Sequence, residues 1–251
     1  MIERLGAVCD DFCVNSRLFL KMDLGLQRET VLHFFDRIRK AYPTMSKFRR
    51  RDERCLVLEE EPNEDGRRRW IRLDGDSLRF GVFSPSSVEE VQSFTDLVLT
   101  HAPYYLTFSD IDFEHLELTY GFDLEYKGNH DHLVAETFWS DQLSGGFLTG
   151  DDDLNIIDAQ PYLGIALTPE CDLQAYVEVK SRTTTYEVRS DNYDGEPITV
   201  FLTMRKYWGV TEPVTLTAAS KLLFENADRL AVDKVVPLFV NPLAAAIANR
   251  S

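Results

Sequence analysis

The stretch SRLFLKMDL, residues 16–24, decides the fold, because its apolar and polar residues alternate as they do in a half-buried strand. SLRFGVF, residues 77–83, shows a similar alternation further along the chain. When the sequence is aligned with itself at an offset of 60 residues, Leu18 falls on Leu78, and the match continues without a gap into the segments that follow. The sequence therefore predicts an internal repeat.

Each copy of the repeat predicts a strand, a helix and a second strand. In the first copy, Val31, Phe35 and Ile38 share one helical stripe. In the second copy, Ser87 is followed three residues later by Glu90, which is typical of a helix N-terminus. The predicted helices are residues 29–42 and 84–103, and the predicted closing strands are residues 53–61 and 115–126.

Two such units predict an α+β fold: a ferredoxin-like βαβ-βαβ sandwich, an antiparallel sheet with helices on one face. Residues 66–76 predict an extra strand that forms a hairpin with the strand before it. This ferredoxin-like domain is predicted to span residues 1–127. Residues 128–251 predict a second α+β domain packed against the first, with antiparallel strands, one of them over 173–188, and C-terminal helices.

The 251-residue chain has a formal net charge of −15, and the charge is unevenly distributed. Residues 80–179 contain 19 acidic residues and one cation, Lys127. A surface of that sign repels a phosphate backbone, so we expect no nucleic-acid binding. We also see no apolar run of about 18–20 residues and no apolar leader, and therefore expect no membrane contact and a cytoplasmic location. The four cysteines are expected to be reduced and mostly buried.

GNHDH, residues 128–132, is chemically the most suggestive segment, since Gly-Asn-His-Asp is also a metal-binding signature of calcineurin-like phosphoesterases. A dinuclear centre of that kind needs further ligands, including an upstream Asp-x-His and later histidines. The chain has no such upstream motif, and no histidine follows His132. The sequence therefore does not support a phosphoesterase.

Two interpretations of this segment stay open. His130 and His132 can bind a single divalent metal together with Asp131 or Glu136; His132 and Glu136 are four residues apart and share a helix face. Alternatively, Asn129 or Asp131 is the N-cap of the helix that follows. A further acidic loop, residues 151–153, begins like a calcium loop but lacks its glycine and its last glutamate, so an EF-hand is excluded.

Arginines are concentrated in residues 49–54 and residues 67–72, with acidic residues between the two runs. On a hairpin the runs meet across strands and form either ion pairs or one cationic patch. Since arginine binds carboxylates and phosphates through two parallel hydrogen bonds, such a patch is predicted to bind an anionic ligand or the acidic middle of another copy. The candidate binding residues are Arg50, Arg54, Arg67, Arg69 and Arg72.

The chain resembles a sporadically distributed bacterial family of uncharacterised proteins of similar length. The resemblance lies in the segment from SRLFLKMDL to KAYP, in the DSLRF strand, in the mid-chain helix and in the closing helix near LFVNPLAAAI. It implies a bacterial origin, and it implies no activity and no catalytic residue.

No nucleophile elbow, P-loop or dinucleotide fingerprint occurs in the sequence. We therefore predict a non-enzymatic module without a cofactor, which binds a protein partner or itself. A homo-oligomer is favoured because sheet edges invite pairing. The alternative prediction is a small-ligand-binding protein or a metal-assisted hydrolase that uses the region around His130 and His132, with one divalent metal.

Overall fold

The computed structural model describes residues 5–52, 54–140 and 155–250. Within these ranges, nine strands form one sheet, and all neighbouring strands are antiparallel. The strands are β1 (Asp11–Leu20), β2 (Lys47–Asp52), β3 (Cys55–Glu59), β4 (Arg68–Leu73), β5 (Ser77–Phe83), β6 (Phe113–Glu125), β7 (Tyr162–Ala166), β8 (Leu173–Lys180) and β9 (Pro197–Tyr207). Their order across the sheet is β2-β3-β4-β5-β1-β6-β9-β8-β7, which makes β2 and β7 the edge strands.

Six helices accompany the strands within the described ranges, and the sequence explains where the helix after β5 begins. At the start of the helix after β5, Ser87 accepts a hydrogen bond from the Glu90 N–H at 3.1 Å, and the Glu90 carboxylate accepts one from the Ser86 N–H at 3.0 Å. The helices are α1 (Arg28–Ala41), α2 (Val88–Leu106), α3 (His130–Trp139), α4 (Thr185–Ser190), α5 (Leu216–Leu230) and α6 (Asn241–Ala248).

The two predicted repeat units join one sheet, but not in the predicted way. β1 pairs with β5, and Leu18 lies opposite Leu78. β5, α2 and β6 form a split βαβ unit, because both strands run antiparallel to β1 between them. The first predicted unit would need β1 and β3 to be parallel. They are antiparallel, with β4 and β5 between them, because the chain returns as a β2-β3-β4-β5 meander. The α+β class is therefore confirmed, and the ferredoxin-like arrangement is not.

Both predicted domains contribute strands to this sheet. β6 and β9 pair from His115 opposite Tyr207 to Glu125 opposite Pro197, across the predicted boundary at residue 127. The predicted strand over residues 173–188 is too long, because β8 ends at Lys180 and α4 begins at Thr185. Reciprocal capping decides this: the Glu187 carboxylate accepts a hydrogen bond from the Thr184 N–H at 2.7 Å, and the Thr184 hydroxyl accepts one from the Glu187 N–H.

The core lies between the sheet and helices on one of its faces. Phe80 of β5 packs edge-on against Phe94 of α2, with ring centroids 6.2 Å apart. Tyr120 of β6 is fully buried and donates a hydrogen bond to Asp228 of α5 at 2.7 Å. The residues that alternate with these core residues point to the opposite side of the sheet, which we call the open face. Several of its side chains remain partly exposed; the Arg17 side chain is 25% exposed.

The C-terminal helices form one continuous rod. A π-helical segment, Ala231–Val240, joins α5 to α6, and it contains Pro237, which cannot donate a backbone hydrogen bond. The rod, Leu216–Ala248, is 33 residues long, and its most apolar window has a mean hydropathy of 1.6 with 22% of that window buried. By length and composition this rod could cross a membrane, so the absence of membrane contact and the cytoplasmic location stay predictions.

Candidate interaction surfaces

The two arginine runs do not meet across one hairpin, because β3 lies between β2 and β4. Arg54 forms an ion pair with Asp23 at 3.1 Å. Arg50 donates from Nε to the Asp52 carbonyl oxygen at 3.1 Å and forms no ion pair within the described ranges. Both side chains are largely exposed, so neither is held in place by burial.

Arg69 and Arg67 connect β4 to α2. The Arg69 side chain is 14% exposed and forms ion pairs with Glu60 at 2.8 Å and with Glu90. Arg67 lies 3.7 Å from Glu90. Although burial raises the pKa of Glu90, hydrogen bonds from Ser86 and the charges of the two arginines hold it below its ordinary value. These two arginines therefore stabilise the fold, and Arg72 is the one member of the predicted set that reaches the open face.

His130 is buried with both ring nitrogens in hydrogen bonds. Nδ1 accepts from the Arg182 N–H at 3.2 Å, so Nε2 carries the proton and donates to the Tyr126 carbonyl oxygen at 3.0 Å. Burial lowers the pKa of His130, which favours this neutral form. A metal would have to displace one of these two backbone partners.

The capping interpretation matches the geometry at the start of α3. The Asn129 side chain accepts a hydrogen bond from the His132 N–H at 3.0 Å. Glu136 forms an ion pair with Arg250. No group of three or more His, Cys, Asp or Glu side chains suited to a metal occurs among the described residues. The acidic loop at residues 151–153 lies outside the described residues.

The middle of the open face carries a stack of rings. Phe19 of β1, His115 of β6 and Tyr207 of β9 lie opposite one another, and the ring centroids are 4.1 Å and 4.9 Å apart. In the next row, Glu117 accepts a hydrogen bond from Arg205 at 2.5 Å. Although burial raises the pKa of Glu117, its hydrogen bonds and the charge of Arg205 hold it below the ordinary value.

Three arginines extend that second row across the neighbouring strands. Arg17 of β1 lies opposite Arg79 of β5, and Arg79 lies opposite Arg72 of β4. Like charges at directly opposite positions destabilise a sheet. Asp74 partly offsets this repulsion, since its carboxylate lies 2.7 Å from Arg72 Nε and 3.1 Å from Arg79 Nε. We call Arg17, Arg79 and Arg72 the arginine row.

The two edges of the sheet differ in their protection. β2 carries Lys47, Arg49, Arg50, Arg51 and Asp52 among its six residues, and its pairing with β3 is irregular near its end. Charges and irregular pairing are the usual means by which proteins prevent a free edge from pairing with another strand. β2 is therefore a protected edge.

β7 has neither form of protection. Its sequence, YLGIA, contains no charged residue, and its pairing with β8 is regular. Tyr162, Leu163 and Ile165 are 59%, 58% and 44% exposed. Tyr176 of β8 covers Gly164, where a Cβ atom would lie 2.6 Å from the Tyr176 ring. That close contact, together with the regular ladder, holds β7 in an extended conformation.

Comparison of this chain with protein families, with characterised proteins and with solved structures gives no match.

Proposed function

We propose that the protein is a non-enzymatic interaction module that self-associates through the β7 edge. The observation that carries the proposal is the contrast between the two edges of one sheet: β2 is charged and irregular, and β7 is regular, apolar and exposed. An unprotected edge of this kind is a template for another strand.

The backbone of β7 presents unpaired groups on its outer side. The Leu167 N–H donates to the Leu173 carbonyl oxygen at 2.8 Å, and the Val179 N–H donates to the Pro161 carbonyl oxygen at 3.0 Å. Hydrogen-bonded pairs alternate along an antiparallel ladder, so the odd-numbered residues from 161 to 167 bond to β8. The N–H and C=O groups of Tyr162, Gly164 and Ala166 therefore point away from the sheet.

A second copy of the chain fits this edge by symmetry. With Gly164 opposite Gly164 of the other copy, Tyr162 of each copy lies opposite Ala166 of the other. These three pairs form about six backbone hydrogen bonds. Leu163 then lies opposite Ile165 on the other side of the strands, and this apolar pair occurs twice. The arrangement is self-complementary, as a two-fold interface requires.

Charge decides how this association depends on salt. Each copy carries a formal net charge of −15, so two copies repel each other, while the contact itself contains no charged β7 residue. Salt screens the repulsion and leaves the backbone and apolar contacts in place. We therefore expect the dimer to become tighter as salt is raised, whereas docking of arginines on acidic residues would become weaker.

The free thiols, which form no disulfide, fit the cytoplasmic location that the proposal assumes.

Proline substitutions at adjacent positions test the edge. Ala166→Pro removes an outward N–H and leaves the β8 ladder intact, so the variant is expected to fold and to be monomeric in sedimentation velocity. Ile165→Pro is the matched control, because it removes an inward N–H and is expected to destabilise the fold itself. A wild-type chain that stays monomeric at about 100 μM in both low and high salt would refute the proposal, since association would then be weaker than about 5.5 kcal/mol. So would a dimer that Ala166→Pro leaves unchanged.

A further inference from the structure

We propose that the arginine row and Trp70 form a binding site on the open face for a small phosphate-bearing ligand with a planar ring. This site lies away from β7, and it does not depend on self-association. It also differs from the predicted ligand region around His130 and His132.

The register of the sheet places the three arginines side by side. Arg17, Arg79 and Arg72 occupy consecutive, directly opposite positions on three neighbouring strands. Strands lie about 4.8 Å apart, so the row spans about 10 Å. Three cations at this spacing repel one another, and an anion between them relieves that repulsion.

Asp74 orients two of these side chains for a ligand. Its carboxylate contacts the Nε atoms of Arg72 and Arg79, at 2.7 Å and 3.1 Å. The Nη atoms of both arginines form no hydrogen bond within the described ranges. Their side chains are 32% and 34% exposed, so the Nη ends are within reach of a ligand. Paired N–H groups in a planar fork suit phosphate oxygens.

Arg17, the third arginine, is affected by the charge of its neighbour. Burial and the nearby charge of Arg79 lower the pKa of Arg17 below its ordinary value. Its Nη2 donates to Ser77 Oγ at 3.0 Å, and Asp76, at 3.8 Å, is 62% exposed and a weak partner. Arg17 Nε is buried without a hydrogen-bond partner. Unsatisfied buried donors are rare in native proteins, and this one marks the crowding of the three arginines.

An aromatic surface lies next to the row. The residues that line a depression of about 200 Å³ include Trp70, Phe83, Arg68, Arg72 and the acidic Glu59, so Arg72 belongs both to the depression and to the row. Trp70 and Phe83 lie with ring centroids 6.4 Å apart. Trp70 Nε1 is a further buried donor without a partner.

The shared position of Arg72 sets the ligand chemistry. A phosphate group on the row places an attached planar ring over the depression, where it can stack on Trp70. The net charge of the chain opposes a polyanion, because many phosphates would lie over acidic surface. A single phosphate group experiences mainly the charges within about 10 Å, which include the three arginines.

Calorimetric titrations with phenyl phosphate and with inorganic phosphate test the site. We expect saturable binding of phenyl phosphate that is ~10-fold tighter than binding of inorganic phosphate, because stacking adds to the arginine contacts. Arg72→Gln combined with Arg79→Gln should weaken phenyl phosphate at least ~10-fold, as expected for lost charged hydrogen bonds. Trp70→Leu should abolish the preference for the ring and leave inorganic phosphate binding unchanged.

Arg229→Gln is the matched control, since it removes the same charge from α5, which packs on the opposite face of the sheet, where Arg229 bonds to Asn226 at 2.9 Å. It should leave both affinities unchanged, and circular dichroism establishes that each variant is folded. The proposal is overturned if neither probe saturates at millimolar concentration, or if the double arginine variant binds phenyl phosphate like the wild type. It is also overturned if Arg72→Gln with Arg79→Gln changes the oligomeric state and not phosphate binding, because the row would then contact acidic residues of another chain.

Discussion

Replacing Ile165 by lysine gives a quantitative test of the β7 edge. Ile165 is 44% exposed, and in the proposed dimer Leu163 of the other copy covers it. Full burial of an isoleucine side chain stabilises by about 1.5–3 kcal/mol, so covering the exposed part contributes about 1 kcal/mol per copy. The contact occurs twice, and its loss costs about 2 kcal/mol, or ~30-fold in the dissociation constant. Two ammonium groups beside apolar surface add to that cost.

Sedimentation velocity over a concentration series measures this change, with circular dichroism to show that the fold is retained. Phe48→Lys is the matched control, because Phe48 is 50% exposed and lies on the opposite edge strand, which already carries charges. The reasoning fails if Ile165→Lys and the wild type have the same dissociation constant. It fails equally if Phe48→Lys disrupts the dimer to the same extent, because the contact would then involve β2.

Two further predictions concern stability, measured by urea unfolding at several pH values. Lys206 is buried and forms an ion pair with Asp172, so Asp172→Ala should cost about 3–5 kcal/mol at pH 7. Burial raises the pKa of Asp172, but hydrogen bonds, the largest from Lys206, outweigh it and hold that pKa far below its ordinary value. The pair therefore stabilises the fold at pH values above the ordinary carboxyl pKa. The unfolding free energies of wild type and variant should converge as pH falls below about 4. Tyr120→Phe removes a buried donor to Asp228 and should cost about 1–3 kcal/mol at pH 7. Burial raises the pKa of Asp228, so this cost should shrink as pH falls and the carboxyl becomes protonated; a cost that is constant with pH would contradict this account.

Local patterns predicted the elements of the first half well. β5, α1, α2 and the β3–β4 hairpin form where alternation, helical stripes and turn residues placed them, whereas β1 spans Asp11–Leu20 and matches its predicted stretch only over residues 16–20. The strand over residues 173–188 was partly wrong, because alternation alone was followed past Lys180. The signal for α4 was nevertheless local: a threonine at 184 and a glutamate three residues later form a capping box.

The candidate sites were less predictable, because they depend on which strands are neighbours. The sequence indicated an arginine patch, but it grouped arginines that are close along the chain, and β3 separates the two runs. Arg17 and Arg79 were missed, although a signal existed. Each sits beside one of the two aligned leucines, Leu18 and Leu78, and antiparallel pairing about those leucines brings the two arginines together.

The sequence by itself determined the identity of most strands and helices and the acidic character of the middle of the chain, because period and charge are properties of neighbouring residues. Only the tertiary structure decided that nine described strands form a single sheet with β7 at an unprotected edge, and that Arg17, Arg79 and Arg72 share one row. The physical reason is that strand order and register arise from the burial of one sheet face against helices that are distant in sequence. Hydrogen bonds between strands are available in many registers, and packing of the whole core selects among them.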